Sequence, residues 1–202
     1  AGIIDGTMDN VLETVGNASV STSIVKYGSG SMFFDGTGDY LSAPANPNFN
    51  FGSGDFTIEF WLYPTSHPAT VYLAGQTNSS DFAPVLCLLS NGRPGIAATS
   101  ASGSWTINVT STTTLVLNAW THVAYVRFGN KWSVYINGVE TVLAASTAVN
   151  TYTSTDPLGI GGEAAGTLNY PYFGYMDDVR ITRGVARYLS NFTPPQVALP
   201  RQ

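Results

Sequence analysis

Two adjacent carboxylates, Asp177 and Asp178, interrupt the apolar-polar run formed by Tyr175, Met176, Val179 and Ile181. Carboxylates placed in this way can do acid–base work or hold a hard cation. Glycoside hydrolysis with retention needs two carboxyls about 5–5.5 Å apart, a spacing that alternate residues of a strand supply. Glu13, Glu59, Glu140 and Glu163 are each isolated, and no strand-like segment carries carboxylates at i and i+2. Glycosidase chemistry of this kind is therefore not expected. No G-x-S-x-G elbow is present. His67 sits in a Pro-flanked loop, and His122 lies inside a strand-like run, where a packed or edge role is expected. No C-x-x-C or H-E-x-x-H spacing offers a zinc site. Cys87 is the only cysteine, and its run Val85–Leu89 makes it a buried hydrophobe rather than a reactive thiol.

A ligand surface is the remaining chemistry. Sugars are held by flat apolar rings against their C–H faces and by planar polar groups at their hydroxyls. Loop aromatics are the candidates: Trp105, Tyr152, and Tyr170 and Tyr172 on either side of Pro171. Asn169, Asp156 and Gln76 could supply hydrogen bonds. Each of these could equally be a packing residue, and exposed Tyr and Trp also mark protein interfaces. Trp61, Trp120 and Trp132 fall in strand-like runs and are read as structural. Arg180, Arg183 and Arg187 form the only basic cluster, open to local salt bridges or to an anionic glycan. Asp35 and Asp39 are read as turn chemistry, since Asp before Gly caps a tight turn with its own side chain.

The elements that must position these residues are short strands. No long apolar pattern of period 3.6 occurs, while 21 Gly, 11 Pro and many β-branched residues punctuate the chain. Residues 31–41 read as strand, turn, strand about Asp35-Gly36. Residues 55–63 alternate cleanly, with Phe56, Ile58, Phe60 and Leu62 on one side and Thr57, Glu59, Trp61 and Tyr63 on the other. Further strands are expected at 71–75, 84–89, 95–99, 106–109, 114–117, 158–161 and 172–181. Asn91-Gly92, Gly129-Asn130 and Asn137-Gly138 are hairpin signals, the last two bounding the strands around Trp120–Val142. Turn signals at this spacing predict an all-β, two-sheet antiparallel sandwich. With no linker or internal repeat visible, residues 1–202 are expected to form one domain.

Composition narrows the partners. Charged residues are only 10% of the 202, against a usual share of about 25%. A net charge of -5 with 8 basic residues leaves no basic stripe for phosphates, so no nucleic acid is expected. No apolar run approaches the roughly 20 residues that span a bilayer, so no membrane insertion is expected, and no leader-like segment opens the sequence. A surface built from Ser, Thr, Asn and Gly suits an extracellular or particle-bound protein. N-x-S/T sequons occur at Asn17, Asn78, Asn108 and Asn191, as expected by chance in such a composition.

Residues 26–41, 55–64, 120–139 and 174–188, in that order, resemble the laminin-G-like branch of the concanavalin A-like lectin/glucanase superfamily. The ending, Val179–Pro195, is similar to those of such domains in bacteriophage tail and other virion proteins. The resemblance implies a jelly roll with one convex and one concave sheet, and members that bind glycans or proteins. It implies a lectin-like, non-catalytic module, displayed in many copies on a virion surface or extracellular, and engaging host-surface carbohydrate. The alternatives are a structural virion component, or a carbohydrate-binding module of a secreted bacterial hydrolase. The two-glutamate pattern of the superfamily's glucanases is absent. The resemblance also implies a possible structural calcium, held by the Asp177 side chain, the Gly36 carbonyl and Asp5 near the N-terminus. The residue-level alternative is that Asp177 accepts hydrogen bonds from turn N–H groups.

Overall fold

The computed structural model describes residues 10–77, 80, 82–144, 147–165 and 170–200. Its strands are β1 (Glu13–Val15), β2 (Ser19–Ser21), β3 (Ser31–Asp35), β4 (Tyr40–Ala43), β5 (Phe56–Pro64), β6 (Thr70–Gly75) and β7 (Val85–Ser90). They continue with β8 (Arg93–Ala98), β9 (Ile107–Thr110), β10 (Thr121–Phe128), β11 (Lys131–Ile136), β12 (Val139–Ala144), β13 (Leu158–Ile160) and β14 (Phe173–Arg183). The first sheet has the order β1-β4-β13-β6-β7-β8-β9, the second β12-β11-β10-β5-β14-β3-β2. Every pairing is antiparallel. The expected two-sheet β-sandwich is thus what the chain forms, and one 3₁₀ turn, Pro47–Phe49, is its helix content among the described residues.

The alternation of β5 explains its place. Phe56, Ile58, Phe60 and Leu62 point into the space between the sheets and join Phe34, Leu73, Leu89, Val123, Tyr125, Trp132 and Met176 in the main core. Each such side chain, fully buried, stabilises the fold by about 1.5–3 kcal/mol. Cys87 is in this core, and burial pushes its thiol pKa up, which removes the reactive thiolate. The hairpin signals also hold. Asn91-Gly92 and Asn137-Gly138 all take positive φ, as the two-residue turns joining β7 to β8 and β11 to β12 require.

Residues 31–41 form the expected strand, turn and strand, with β3 in the second sheet and β4 in the first. The turn between them is a corner of the sandwich, tied by Asp39, whose Oδ2 accepts from Asp35 N and whose Oδ1 accepts from Asn17 N, both at 2.6 Å. Residues 114–117 are not a strand. Leu115 plugs into the core, its N–H donates to Gly92 O, and its carbonyl lies 2.8 Å from His67 Nε2, so no ladder is left for it. Finally, both faces of β5 are buried, with Thr57 and Glu59 at 0% exposure. The cause is the segment after β14, residues 184–199, which folds back over the outer face of the second sheet. Ala186, Tyr188 and Phe192 pack on Ala124, Val126 and Tyr135 there. This strap is pinned by Phe192 N to Gly138 O, Tyr27 Oη to Pro195 O and Leu199 N to Asp178 Oδ2.

Candidate ligand-binding face

The outer face of the first sheet carries an apolar patch where a solvent-facing sheet would be polar. Tyr72 on β6, Leu86 and Leu88 on β7, and Ala97 on β8 turn away from the core and are buried nonetheless. Loops bury them. The 76–84 and 99–106 loops meet at the same end of β7 and β8, since Val85 pairs with Ala98. The 147–157 loop joins them, because Gln76 Nε2 donates to Asp156 O at 2.9 Å. Tyr170 lies on Tyr72, stacked at 4.2 Å, with Tyr72 N donating to Tyr170 O. Trp105 packs on the same patch and lies 5.0 Å from the ring of Phe82. The Tyr152 hydroxyl donates to the Phe82 carbonyl at 3.2 Å.

Trp105, Tyr152 and Tyr170 therefore converge although they are distant in sequence, and each keeps part of its ring in solvent. Exposed Ser100, Ser102, Ser104, Thr153 and Thr155 surround them. A half-buried ring with a polar rim presents a rigid apolar face at little entropic cost and leaves hydroxyl partners alongside. Phe82 and Tyr72 are additions that sequence reasoning missed. Tyr72 looked like an ordinary strand aromatic, and nothing local showed that its side of β6 faced outward.

Tyr172 must be taken off this face. At 1% exposure it points into the core, edge-to-face with Phe34, so it has no surface for a ligand. Asn169 lies outside the described residues. A small cavity at the end of the main core, between Phe49, Phe51, Ile58, Val85 and Ile181, has a volume of about 10 Å³, room for one water rather than a sugar.

The structure does not assemble the expected calcium ligands. Asp177 Oδ2 accepts from Lys26 N and Tyr27 N at 2.9 and 3.0 Å, and Oδ1 accepts from Asp178 N at 2.9 Å. The alternative role, a carboxylate tying down a turn, is what its geometry provides. Gly36 lies past the other end of β3: Met176 pairs with Met32 and Phe173 with Asp35, so Gly36 is displaced from Asp177 by about 15 Å along the strand. A calcium needs its oxygens at about 2.3–2.6 Å. Gly36 is also covered by the Phe173 ring. Asp5 lies outside the described residues, and among those described no group of three or more His, Cys, Asp or Glu side chains could hold a metal. Asp35 and Asp39 spend their oxygens on amides, as turn chemistry.

Ionisable side chains do converge, but under the strap. A bulge lets this happen: Asp177 pairs with Trp61 and Arg180 with Glu59, and Asp178 takes φ 49° in between. Arg180 Nη2 and Nε lie 2.6 and 2.8 Å from Glu59 Oε1. The Tyr188 hydroxyl donates to Glu59 Oε2 at 2.6 Å, and His122 Nε2 stands 3.2 Å from the same oxygen. Burial pushes the Glu59 carboxyl up, but His122, Tyr188 and Arg180 outweigh it and hold the group below the usual range. Burial, then Glu59, pushes the Tyr188 phenol well up. Glu59 is therefore a fully engaged carboxylate, at 0% exposure beneath the strap. Arg180 is thus a salt-bridge residue, and Arg187 Nε donates to Thr182 Oγ1 at 3.0 Å.

Residues 35–186 match the family described as the concanavalin A-like lectin/glucanases superfamily, in its laminin-G-like branch. The chain belongs to this family. No curated protein matches the chain. Among solved structures, this laminin-G-like chain is similar to the binding domain of Paraclostridial Mosquitocidal Protein 1 at 17% identity and TM-score 0.62, over 88% of this chain and 45% of that one. It is similar to domain 4 of AbnA, a GH43 extracellular arabinanase from Geobacillus stearothermophilus in complex with arabinotriose, at 13% identity and TM-score 0.59, over 88% and 83%. The native heptameric SAP-like pentraxin from Limulus polyphemus matches at 14% identity and TM-score 0.54, over 85% and 89%. At these identities the likeness establishes the fold. The laminin-G-like chain spans 39% of a matching Bacteroides ovatus structure and 45% of the mosquitocidal domain, less than half of each.

Proposed function

We propose that this laminin-G-like chain is a non-catalytic, lectin-like module that binds carbohydrate on the outer face of its first sheet. The observation that carries the reading is the convergence of Trp105, Phe82, Tyr152 and Tyr170, all partly buried, on the buried Tyr72 within a Ser/Thr rim. The arabinanase domain solved with arabinotriose and the mosquitocidal binding domain lend the fold's precedent for such work. Weak single-site binding would be strengthened by display in many copies. A phage-particle setting, with host-surface glycan as target, is supported by the resemblance of residues 179–195 to virion domains.

A second reading, a virion assembly domain without a sugar site, draws on a different observation. Val185, Leu189 and Val197 are 49%, 56% and 73% exposed along the C-terminal strap, apolar surface of the kind a neighbouring protein covers. A glycan array probed with the multivalently displayed protein separates the two. Hits that disappear in Trp105→Ala establish the lectin. A silent array, with apolar strap variants losing incorporation into particles, establishes assembly instead.

A further inference from the structure

Charge is divided between the two sheets in a way that bears on which sugars the aromatic face accepts. The described residues that build that face are 70–77, 80, 82–106, 147–165 and 170–172. Across them lie a single cation, Arg93, and two carboxylates, Asp156 and Glu163. Arg93 pairs with Ser90 at the hairpin end of β7 and β8, five residues from Ala98, where the loop bearing Trp105 begins. That is about 16 Å along the strand. Asp156 is held at the rim by Ser154 Oγ at 2.8 Å, in the loop that places Tyr152. Glu163 is 3% exposed.

The other cations among the described residues belong to the other sheet or to segments lying on it, and Arg201 lies outside the described residues. Lys26 sits 3.8 Å over the Trp61 ring, Lys131 pairs with Glu140 at 2.9 Å, and Arg180 pairs with Glu59. Arg127, 2% exposed, donates to the carbonyls of Gly129 and Gly52. Arg183 closes β14, and Arg187 lies in the strap. Recognition of a sialic acid, uronic acid or phosphate-bearing sugar needs a cation or an aimed amide donor to replace the water that the anion loses. Among the described residues the rings of the aromatic face have neutral Ser and Thr hydroxyls around them, with Asp156 in the loop that bears Tyr152.

Resting on the lectin reading, we infer that the face bounded by Trp105, Tyr152 and Tyr170 selects uncharged glycans and discriminates against anionic ones. Stacking on the rings supplies the attraction, and the Asp156 carboxylate disfavours a second negative charge. Binding is accordingly insensitive to ionic strength, since no ion pair forms that salt could screen.

The test is a glycan array containing neutral oligosaccharides and their sialylated, uronate and phosphorylated counterparts, read at low and at high sodium chloride. The expected result is signal on neutral members, unchanged by salt and lost in Trp105→Ala, with the acidic counterparts weaker. A second variant reads the charge logic directly. Ser104→Lys, at an exposed position beside Trp105, should improve acidic over neutral glycans by about fivefold at low salt, the worth of one exposed charge at contact distance in water. Preferential, salt-sensitive capture of acidic glycans by the unaltered protein overturns the inference and leaves the lectin reading standing. An array silent for both classes overturns both.

Discussion

The outer faces of the two sheets are both covered, and by opposite means. Over the first sheet, loops lay aromatic residues on an apolar patch and leave them only partly buried. Over the second, the C-terminal strap closes on a buried carboxylate that holds an arginine, a tyrosine and a histidine. The first cover exposes recognisable surface without a described cation beside its rings; the second uses charge to fasten the chain to itself. Removing a group from the second should therefore cost stability, and removing one from the first should cost binding.

The largest effect expected is from Glu59→Ala. It leaves Arg180, Tyr188 and His122 without their shared acceptor beneath the strap, and should destabilise the protein by about 3–5 kcal/mol in urea unfolding. Glycan affinity of the folded fraction should not change, and a loss of affinity alone, with stability intact, would reverse the roles of the two faces. Trp105→Ala should do the opposite, weakening glycan binding by about 2 kcal/mol with a smaller loss in unfolding free energy. Calorimetry alongside urea melts on this pair sharpens the comparison most directly.

Tyr188→Phe should cost about 1.5 kcal/mol, at the low end for a bond to a charged group because the phenol is half-exposed. Acid titration adds a test of sign. Glu59 is held below its ordinary range, so its contribution is present above about pH 4.3 and is lost as pH falls through its folded value. Asp178 behaves inversely: burial raises its carboxyl above the unfolded value, with Leu199 N opposing, Asp177 adding to the rise, Arg180 opposing it and Glu59 adding to it. Its ionisation costs stability at neutral pH, and that cost disappears as pH drops below about 4. Asp178→Asn, which keeps an acceptor for Leu199 N, should stabilise by less than about 1 kcal/mol after solvent screening, and only above that pH. The smallest expected effect is that of a chelator, which should leave the melting temperature where it was because Asp177 already accepts three amides. A clear drop restored by calcium would return Asp177 to the metal role that the family resemblance implied.

The fold was legible in particular residues. The alternation of Phe56 to Leu62 and the Asn-Gly pairs at 91–92 and 137–138 specify a buried strand and tight turns through local stereochemistry alone. The candidate face was partly legible: loop position singled out Trp105, Tyr152 and Tyr170. The same reasoning admitted Tyr172, because a run of Tyr-Pro-Tyr does not show which ring faces inward, and it passed over Tyr72 and Phe82. A clue to the bulge was present as well. Met176 and Val179 are three apart, an odd spacing that a regular strand cannot direct to one side, and the positive φ of Asp178 resolves it.

Composition, alternation and turn residues by themselves determined an antiparallel β-sandwich of low charge, because these features act between near neighbours in the chain. Only the tertiary structure decided that the corner at Asp35–Asp39 joins different sheets, that a strap buries Glu59, that Asp177 accepts from amides, and that rings some 10 to 100 residues apart form one surface. Those outcomes depend on which face of each strand a distant segment covers, and a local pattern holds no information about that.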